Sequence, residues 1–244
     1  MGKARYSHSM WLRLRAVGIT FITSSKLILL NLRNKEAKAS GFDAILQEWS
    51  DKLIRLVDAK VSVNNPYDVC LKPGERYILM CNHTSLYDIP LSYQAFPNAS
   101  VRMLAKKELS KIPVFGRSMT VASFPFIDRK DRRQAIQDLN VAKKLMEQGI
   151  VIWIAPEGTR SMDGELHAFK KGAFITAIQA KASIIPLAIN GAFELYDKPS
   201  KKLTLGQTIS LTIGQPIDAK TYAKHDKDSL LEDAYNAMQA LLKP

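Results

Sequence analysis

Apolar and polar positions repeat on two different periods along this chain, and each change of period marks an element. From residue 77 onward, Tyr77 to Cys81, Val101 to Ala105, Ala122 to Ile127, Val151 to Ala155 and Ile184 to Ile189 are short apolar runs. They are bounded by Asn, Pro, Gly or charged residues, which predicts strands. Longer segments between them repeat at the helical period. Arg132 to Gln148 collects Ile136, Leu139, Val141, Ala142, Leu145 and Met146 on one side and stops at Gly149. Gly172 to Lys181 and Ser229 to Leu242 predict two more helices. A shorter one is predicted over Asp88 to Phe96, with Asp88 as its cap and Pro90 in its first turn. Such alternation predicts an α/β fold, a mostly parallel central sheet covered by helices. Lys202 to Ile213, broken at Gly206, reads as two short strands at the sheet edge.

The first 42 residues follow neither pattern. They hold eight Lys or Arg and one acid, Glu36, around an apolar stretch from Trp11 to Leu32. On a helix, Leu14, Val17, Phe21, Ile28 and Leu32 share a face with Trp11, Ile19 and Leu29, while Arg13, Arg15, Thr20, Thr23, Lys26 and Asn31 lie mostly opposite. Lys26, Ser24 and Ser25 argue against a spanning helix, because one Lys at mid-bilayer costs about 2.5 to 3.5 kcal/mol. The segment should lie in the membrane interface. A cleaved signal peptide fits poorly, since the chain stays basic and polar after Leu32. The competing expectation is a helix packed on the protein's own core.

Composition narrows the function. The 244 residues suffice for one sizeable core, and the formal charge of +12 calls for an anionic partner: nucleic acid, a phosphorylated substrate or an anionic membrane. Outside the N-terminus the aromatics are not interleaved with the basic residues, so no nucleic-acid partner is expected. Cys70 and Cys81 do not form a disulfide framework, and a reduced, cytosol-facing setting follows.

Candidate chemistry sits just after three of the strands. His83 and Asp88 follow the first, Asp128 and Arg129 follow the third, and Glu157, Gly158, Thr159, Arg160 and Ser161 follow Val151 to Ala155. In an open α/β sheet, ligands bind outside the carboxyl ends of the strands. A carboxylate that accepts from one ring nitrogen of His83 would leave the other to take a proton. Five helical residues would set the two side chains about 140° apart, so they meet only if the chain turns between them. Arginines offer forked donors suited to phosphate, and Gly158 would let the backbone approach an anion. Two bland readings compete: a capped strand, turn and helix without chemistry, and surface ion pairs for the arginines.

Together these residues resemble the four signature blocks of the glycerolipid acyltransferases, most closely the 1-acylglycerol-3-phosphate (lysophosphatidic acid) acyltransferases. Asn82 to Asp88 matches the first block. Lys106, Lys107, Glu108 and Leu109, then Ile112, Pro113, Phe115 and Gly116, ending at Ile127, Asp128 and Arg129, match the second. Pro156 to Ser161 with Phe169, Lys170 and Gly172 match the third, and Ile184, Ile185 and Pro186 the fourth. The blocks stand in the family's order and spacing across residues 77 to 190, which is far more specific than a lone His-x4-Asp.

The resemblance implies transfer of a fatty acyl group from a thioester donor, acyl-CoA or acyl-ACP, to the sn-2 hydroxyl of lysophosphatidic acid, forming phosphatidic acid in phospholipid biosynthesis. His83 would be the general base, oriented by Asp88. Lys106, Arg129, Gly158 and Arg160 would bind the substrate phosphate, and Glu157 and Thr159 would organise the loop. No metal and no resident cofactor is implied. One αβ acyltransferase domain over 43–244 would follow an N-terminal interfacial segment over 1–42. That places the protein on the cytoplasmic face of a membrane, peripheral or monotopic, at an anionic surface, and on the inner membrane if it is bacterial. Acylation of another lysophospholipid in remodelling is the alternative. Ala155 stands where an aromatic commonly precedes the third block, and Thr84 and Tyr87 vary the first, which bears on acceptor or chain-length preference.

Three other routes compete with this one. Cys81 lies two residues before His83, so a Cys/His acyl-enzyme is geometrically conceivable, although a buried strand cysteine is the ordinary state. No Gly-x-Ser-x-Gly elbow exists for a serine esterase. A non-catalytic membrane-binding module would keep the N-terminal helix but would not need His83, Asp88 and Arg160 together. His167 has no partners at zinc-like spacing and reads as a loop residue.

Overall fold

Tyr77–Cys81 is buried at all five positions, which only a strand covered on both faces can be. The computed structural model describes residues 5–6, 9–35, 38–197, 202–223 and 225–242. Residues 1–4, 7–8 and 36–37 of the predicted N-terminal segment lie outside the described residues. In the main sheet the strand order is Lys60–Asn64, Thr208–Ile213, Ser183–Asn190, Tyr77–Cys81, Val151–Ile154, Val101–Met103. Neighbours on this path are parallel, except that Thr208–Ile213 runs antiparallel to Ser183–Asn190, as does the short Ile217–Asp218. The sheet is therefore mixed.

Side chains alternate between two helical layers. Leu79, Cys81, Trp153, Ile185 and Leu187 pack with α1 (Ser9–Arg33), α2 (Asp43–Leu56), α3 (Asp88–Ser92) and α4 (Phe115–Val121). Ile78, Met80, Ile152, Ile154 and Ile184 pack on the other side with α5 (Arg132–Glu147), α6 (Lys171–Ala180) and the Lys227–Leu242 helix. The catalytic-type residues leave the sheet toward the first layer.

Several predicted elements change. Ala122 to Ile127 is not a continuous strand: Ala122 ends α4, Ser123 turns with φ 65°, and only Phe126–Ile127 pairs, parallel with Ala105–Lys106. The Val101 to Ala105 run splits at Leu104 for the same reason, since its end leaves the main sheet for that small ladder. Thr208–Ile213 is internal rather than an edge, with Ile209, Leu211 and Ile213 buried, and the edge is Lys60–Asn64. Lys202–Leu205 joins a separate three-stranded sheet with Arg5–Tyr6 and Tyr196–Asp197. α3 stops at Ser92, and Asp88 does not cap it.

α1 turns its large apolar residues outward. Trp11, Leu14, Val17, Phe21, Ile22, Leu29 and Leu32 are each more than half exposed, while Leu12, Thr23, Ser24 and Leu27 are buried. The side expected to be polar is thus the docking side: Trp49 Nε1 of α2 donates to Thr20 Oγ1 at 3.1 Å, and Lys26 pairs with Glu48 at 2.9 Å. Lys52 and Lys26 together hold the Glu48 carboxyl down at about 2. Small and hydroxylated residues suit close helix contact, and most of the bulky ones stay exposed. α1 has the length and composition of a membrane-crossing helix, but its small-residue face is packed on the domain.

Candidate active site

The turn that the first block requires is built from both ends. Past the last strand pair, Cys81 with Leu187, Asn82 continues the ladder with its side chain: Nδ2 donates to Ile189 O at 3.0 Å, and Oδ1 accepts from Ile189 N at 2.8 Å. His83 then sits against the third block. Its N–H donates to Glu157 Oε1 at 2.9 Å, and its carbonyl accepts from Ser161 N at 2.7 Å.

His83 and Asp88 meet. Nδ1 lies 2.8 Å from Asp88 Oδ2, and that oxygen also accepts from Thr84 N and Ser85 N, each at 2.7 Å. The carboxylate points back into the loop, which is why it does not cap its own helix. An ionised carboxylate can only accept, so the ring proton belongs on Nδ1 and Nε2 carries the free lone pair. Asp88 is fully buried, whereas the His83 side chain is 16% exposed, so the pair is wet at one end only.

Cys81 makes no such pair. Its Sγ lies 3.7 Å from Ser92 Oγ, and burial pushes the thiol far above its ordinary range, the wrong state for a nucleophile.

The second and third blocks converge around Gly158. Arg129 donates from Nη1 to the Gly158 carbonyl. Gly158 has φ 79°, and a Cβ there would lie 3.4 Å from Lys170 Cγ, so the Lys170 stem covers the turn. Arg160 is partly buried, and its Nη1 has no hydrogen-bond partner among the described residues. Lys106 is exposed on the small ladder beside Ile127, two residues before Arg129. Thr159 is exposed. Glu157 is buried and bridges the loop, accepting from His83 N and, at 3.0 Å, from His167 N; burial raises its pKa, and these two N–H groups oppose the rise. His167 Nε2 lies 3.0 Å from Asp163, and no metal-type cluster exists among the described residues.

A cavity of about 670 Å³ adjoins the dyad. Leu86 and Tyr87, from the turn between His83 and Asp88, line it together with Val17, Leu27, Met119 and Phe124. Its wall is apolar, and Tyr87, which lines it, has a buried hydroxyl with no partner among the described residues. This cavity was not legible in the sequence, because α1, α3 and α4 each contribute only part of it. Lys170 carried a signal, its place in the third block, but no assigned role.

The family model described as Acyltransferase matches residues 60–190. An uncharacterized acyltransferase of Schizosaccharomyces pombe is 34% identical over 191 residues, 77% of this chain and 67% of that one. Human 1-acyl-sn-glycerol-3-phosphate acyltransferase alpha is 30% identical over 172 residues, 70% of this chain. The chain covers only 60% of that relative's length. The crystal structure of the 1-acyl-sn-glycerophosphate (LPA) acyltransferase PlsC from Thermotoga maritima superposes with a TM-score of 0.74 over 97% of this chain and 96% of that one. At 22% identity it shows a shared fold.

Proposed function

Because the chain belongs to the acyltransferase family, we propose that it moves a fatty acyl group from a thioester, acyl-CoA or acyl-ACP, to the sn-2 hydroxyl of 1-acylglycerol-3-phosphate, forming phosphatidic acid. The observation that carries this reading is the 2.8 Å His83–Asp88 pair beside an apolar cavity. Nε2 of His83 takes the hydroxyl proton as the oxygen attacks the thioester carbonyl, and Asp88 stabilises the imidazolium. When the carbon–sulfur bond breaks, that proton leaves with the thiolate. The cavity holds the acyl chain. Lys106, Arg129 and Arg160 hold the phosphate, Gly158 gives it room, and Glu157 and Thr159 shape the loop. The test is an assay of purified protein on a panel of lysolipids with one acyl-CoA donor, read by mass spectrometry. Preference for lysophosphatidylcholine would overturn the acceptor and leave the acyl transfer.

Arg160 has a buried Nη1 with no partner among the described residues, the state of a donor awaiting an anion. Arg160→Ala and Arg129→Ala should each raise KM for lysophosphatidic acid far more than for the thioester. Charge-assisted bonds of this kind are worth about 1.5 to 3 kcal/mol, or about 10-fold to 150-fold. Equal effects on both substrates would count against the assignment.

The acceptor resides in a bilayer, and α1 offers the surface to reach it. We assign its exposed Trp11, Val17 and Phe21 face to the cytoplasmic leaflet, with Arg15 and Arg33 adding about 1 kcal/mol each near anionic lipid. Val17→Asp with Phe21→Asp should abolish co-sedimentation with anionic vesicles. Undiminished binding by this double variant would return α1 to a purely internal role.

A further inference from the structure

We propose that Ser92 and Trp153 are positioning residues for His83, acting through a closed ring of contacts that passes through Asp88; this rests on His83 being the base. The ring runs as follows. Asp88 Oδ2 holds His83 Nδ1 at 2.8 Å. The His83 ring meets the Trp153 ring edge-on, with centroids 5.7 Å apart and planes at 83°. Trp153 Nε1 donates to Ser92 Oγ at 2.8 Å. Ser92 Oγ donates to the Asp88 carbonyl at 2.6 Å, which returns to the starting residue.

Each contact removes a freedom that the others leave. A single bond at Nδ1 fixes the tautomer but lets the imidazole tilt about that bond. A tilt of the ring swings Nε2, the atom that must reach the hydroxyl. The Trp153 ring blocks the tilt, and a T-shaped aromatic contact has a preferred geometry. Trp153 can act as a stop only while its own ring is fixed, and its one N–H is spent on Ser92. Ser92 has one proton, already committed to the Asp88 carbonyl, so its lone pair is aimed at Trp153. Both residues are buried, so neither bond has water to replace it. Trp153 pairs with Leu79 across parallel strands, and α3 carries Asp88 and Ser92 at i and i+4. The sheet and the first helix after it thus fix the base from opposite sides.

The alternative is that Ser92 and Trp153 only fill the core. Cys81, fully buried and 3.7 Å from Ser92 Oγ, supplies the control, since Cys81→Ala loosens the same spot without cutting the ring. Ser92→Ala and Trp153→Phe cut the same hydrogen bond. Each should lower kcat by about 10-fold to 100-fold, the usual cost of misplacing a reacting group by an ångström, with KM for both substrates little changed. The two together should lose no more than either alone, because they act as one unit. Cys81→Ala should keep its kcat. If Ser92→Ala and Trp153→Phe keep full kcat, or lose no more than Cys81→Ala, the proposal is overturned.

A second measurement separates this from the reaction itself. The Nδ1 proton of His83 should give a low-field resonance in labelled full-length protein, absent in His83→Ala and broadened in Ser92→Ala and Trp153→Phe. A sharp, unshifted signal in both variants overturns the positioning role whatever the enzyme acylates. Wild-type protein without acyl transfer to any lysolipid would instead overturn the functional reading, and the resonance would still decide the ring.

Discussion

His83→Ala should lower turnover by about 100-fold to 10,000-fold while the protein stays folded, the range for loss of a general base. The side chain is partly exposed and its backbone bonds to Glu157 and Ser161 do not depend on the ring, so truncation leaves the loop in place. Asp88→Asn should be nearly as harmful. An amide oxygen could still accept from Thr84 N and Ser85 N, but the negative charge that stabilises the imidazolium would be gone. KM for the thioester should move little in either variant, since the cavity is untouched. The measurement is single-turnover acyl transfer to lysophosphatidic acid, beside a thermal melt. A folded His83→Ala protein with wild-type rates would sink the mechanism.

What could be read from the chain depended on how local the signal was. Tyr77–Cys81, Val151–Ile154 and Ser183–Asn190 are inner strands buried on both faces, so their apolar runs stand out from polar flanks within a residue or two of the observed bounds. Lys60–Asn64 has mostly exposed side chains at the sheet edge, and the alternation of Val61 and Val63 with polar residues is too short to stand out from a loop. Ala122 to Ile127 is as apolar as a strand, yet Ser123 at positive φ bends it. The His83–Asp88 pair was legible because both residues lie in one short block and only one turn joins them. Trp153, Ser92 and the cavity were not, because their meaning lies in contacts between distant segments. The apolar stripe of α1 was legible and is left exposed, but that the opposite side docks on the domain was not, for a related reason. Periodicity shows that one side is more apolar, but not whether protein or lipid covers it.

Arg102 shows most sharply what such distant contacts are worth, and Arg102→Ala should destabilise the fold by about 3 to 5 kcal/mol, the cost of breaking a buried ion pair from one side. In sequence it is a charge inside a predicted strand. In the fold its guanidinium is fully buried, pairs with Asp43 at 2.8 Å and lies 5.4 Å over the Phe124 ring. It also donates to three carbonyls: Ala122 at 2.6 Å, Ala39 at 2.7 Å and Val101 at 2.8 Å. Those partners belong to the end of α4, the turn before α2, and the strand itself. One side chain therefore joins the N-terminal helices to the sheet, and the expected boundary at residue 42 runs through this joint, where Phe42 is also fully buried. Removing the guanidinium leaves the Asp43 carboxylate to the Ser100 hydroxyl and takes the donor from the Ala122 and Ala39 carbonyls, while Val101 keeps the Tyr93 hydroxyl. A native domain has about 5 to 15 kcal/mol to lose, so much of the margin would go. Arg102→Lys should recover little, because an ammonium on a flexible stem cannot present the planar fork. Urea unfolding, with the midpoint falling at an unchanged slope, is the measurement. An unfolding free energy within a few tenths of a kcal/mol of wild type would mean that water or a shifted neighbour takes over every bond, and the helices are held to the sheet by apolar packing alone.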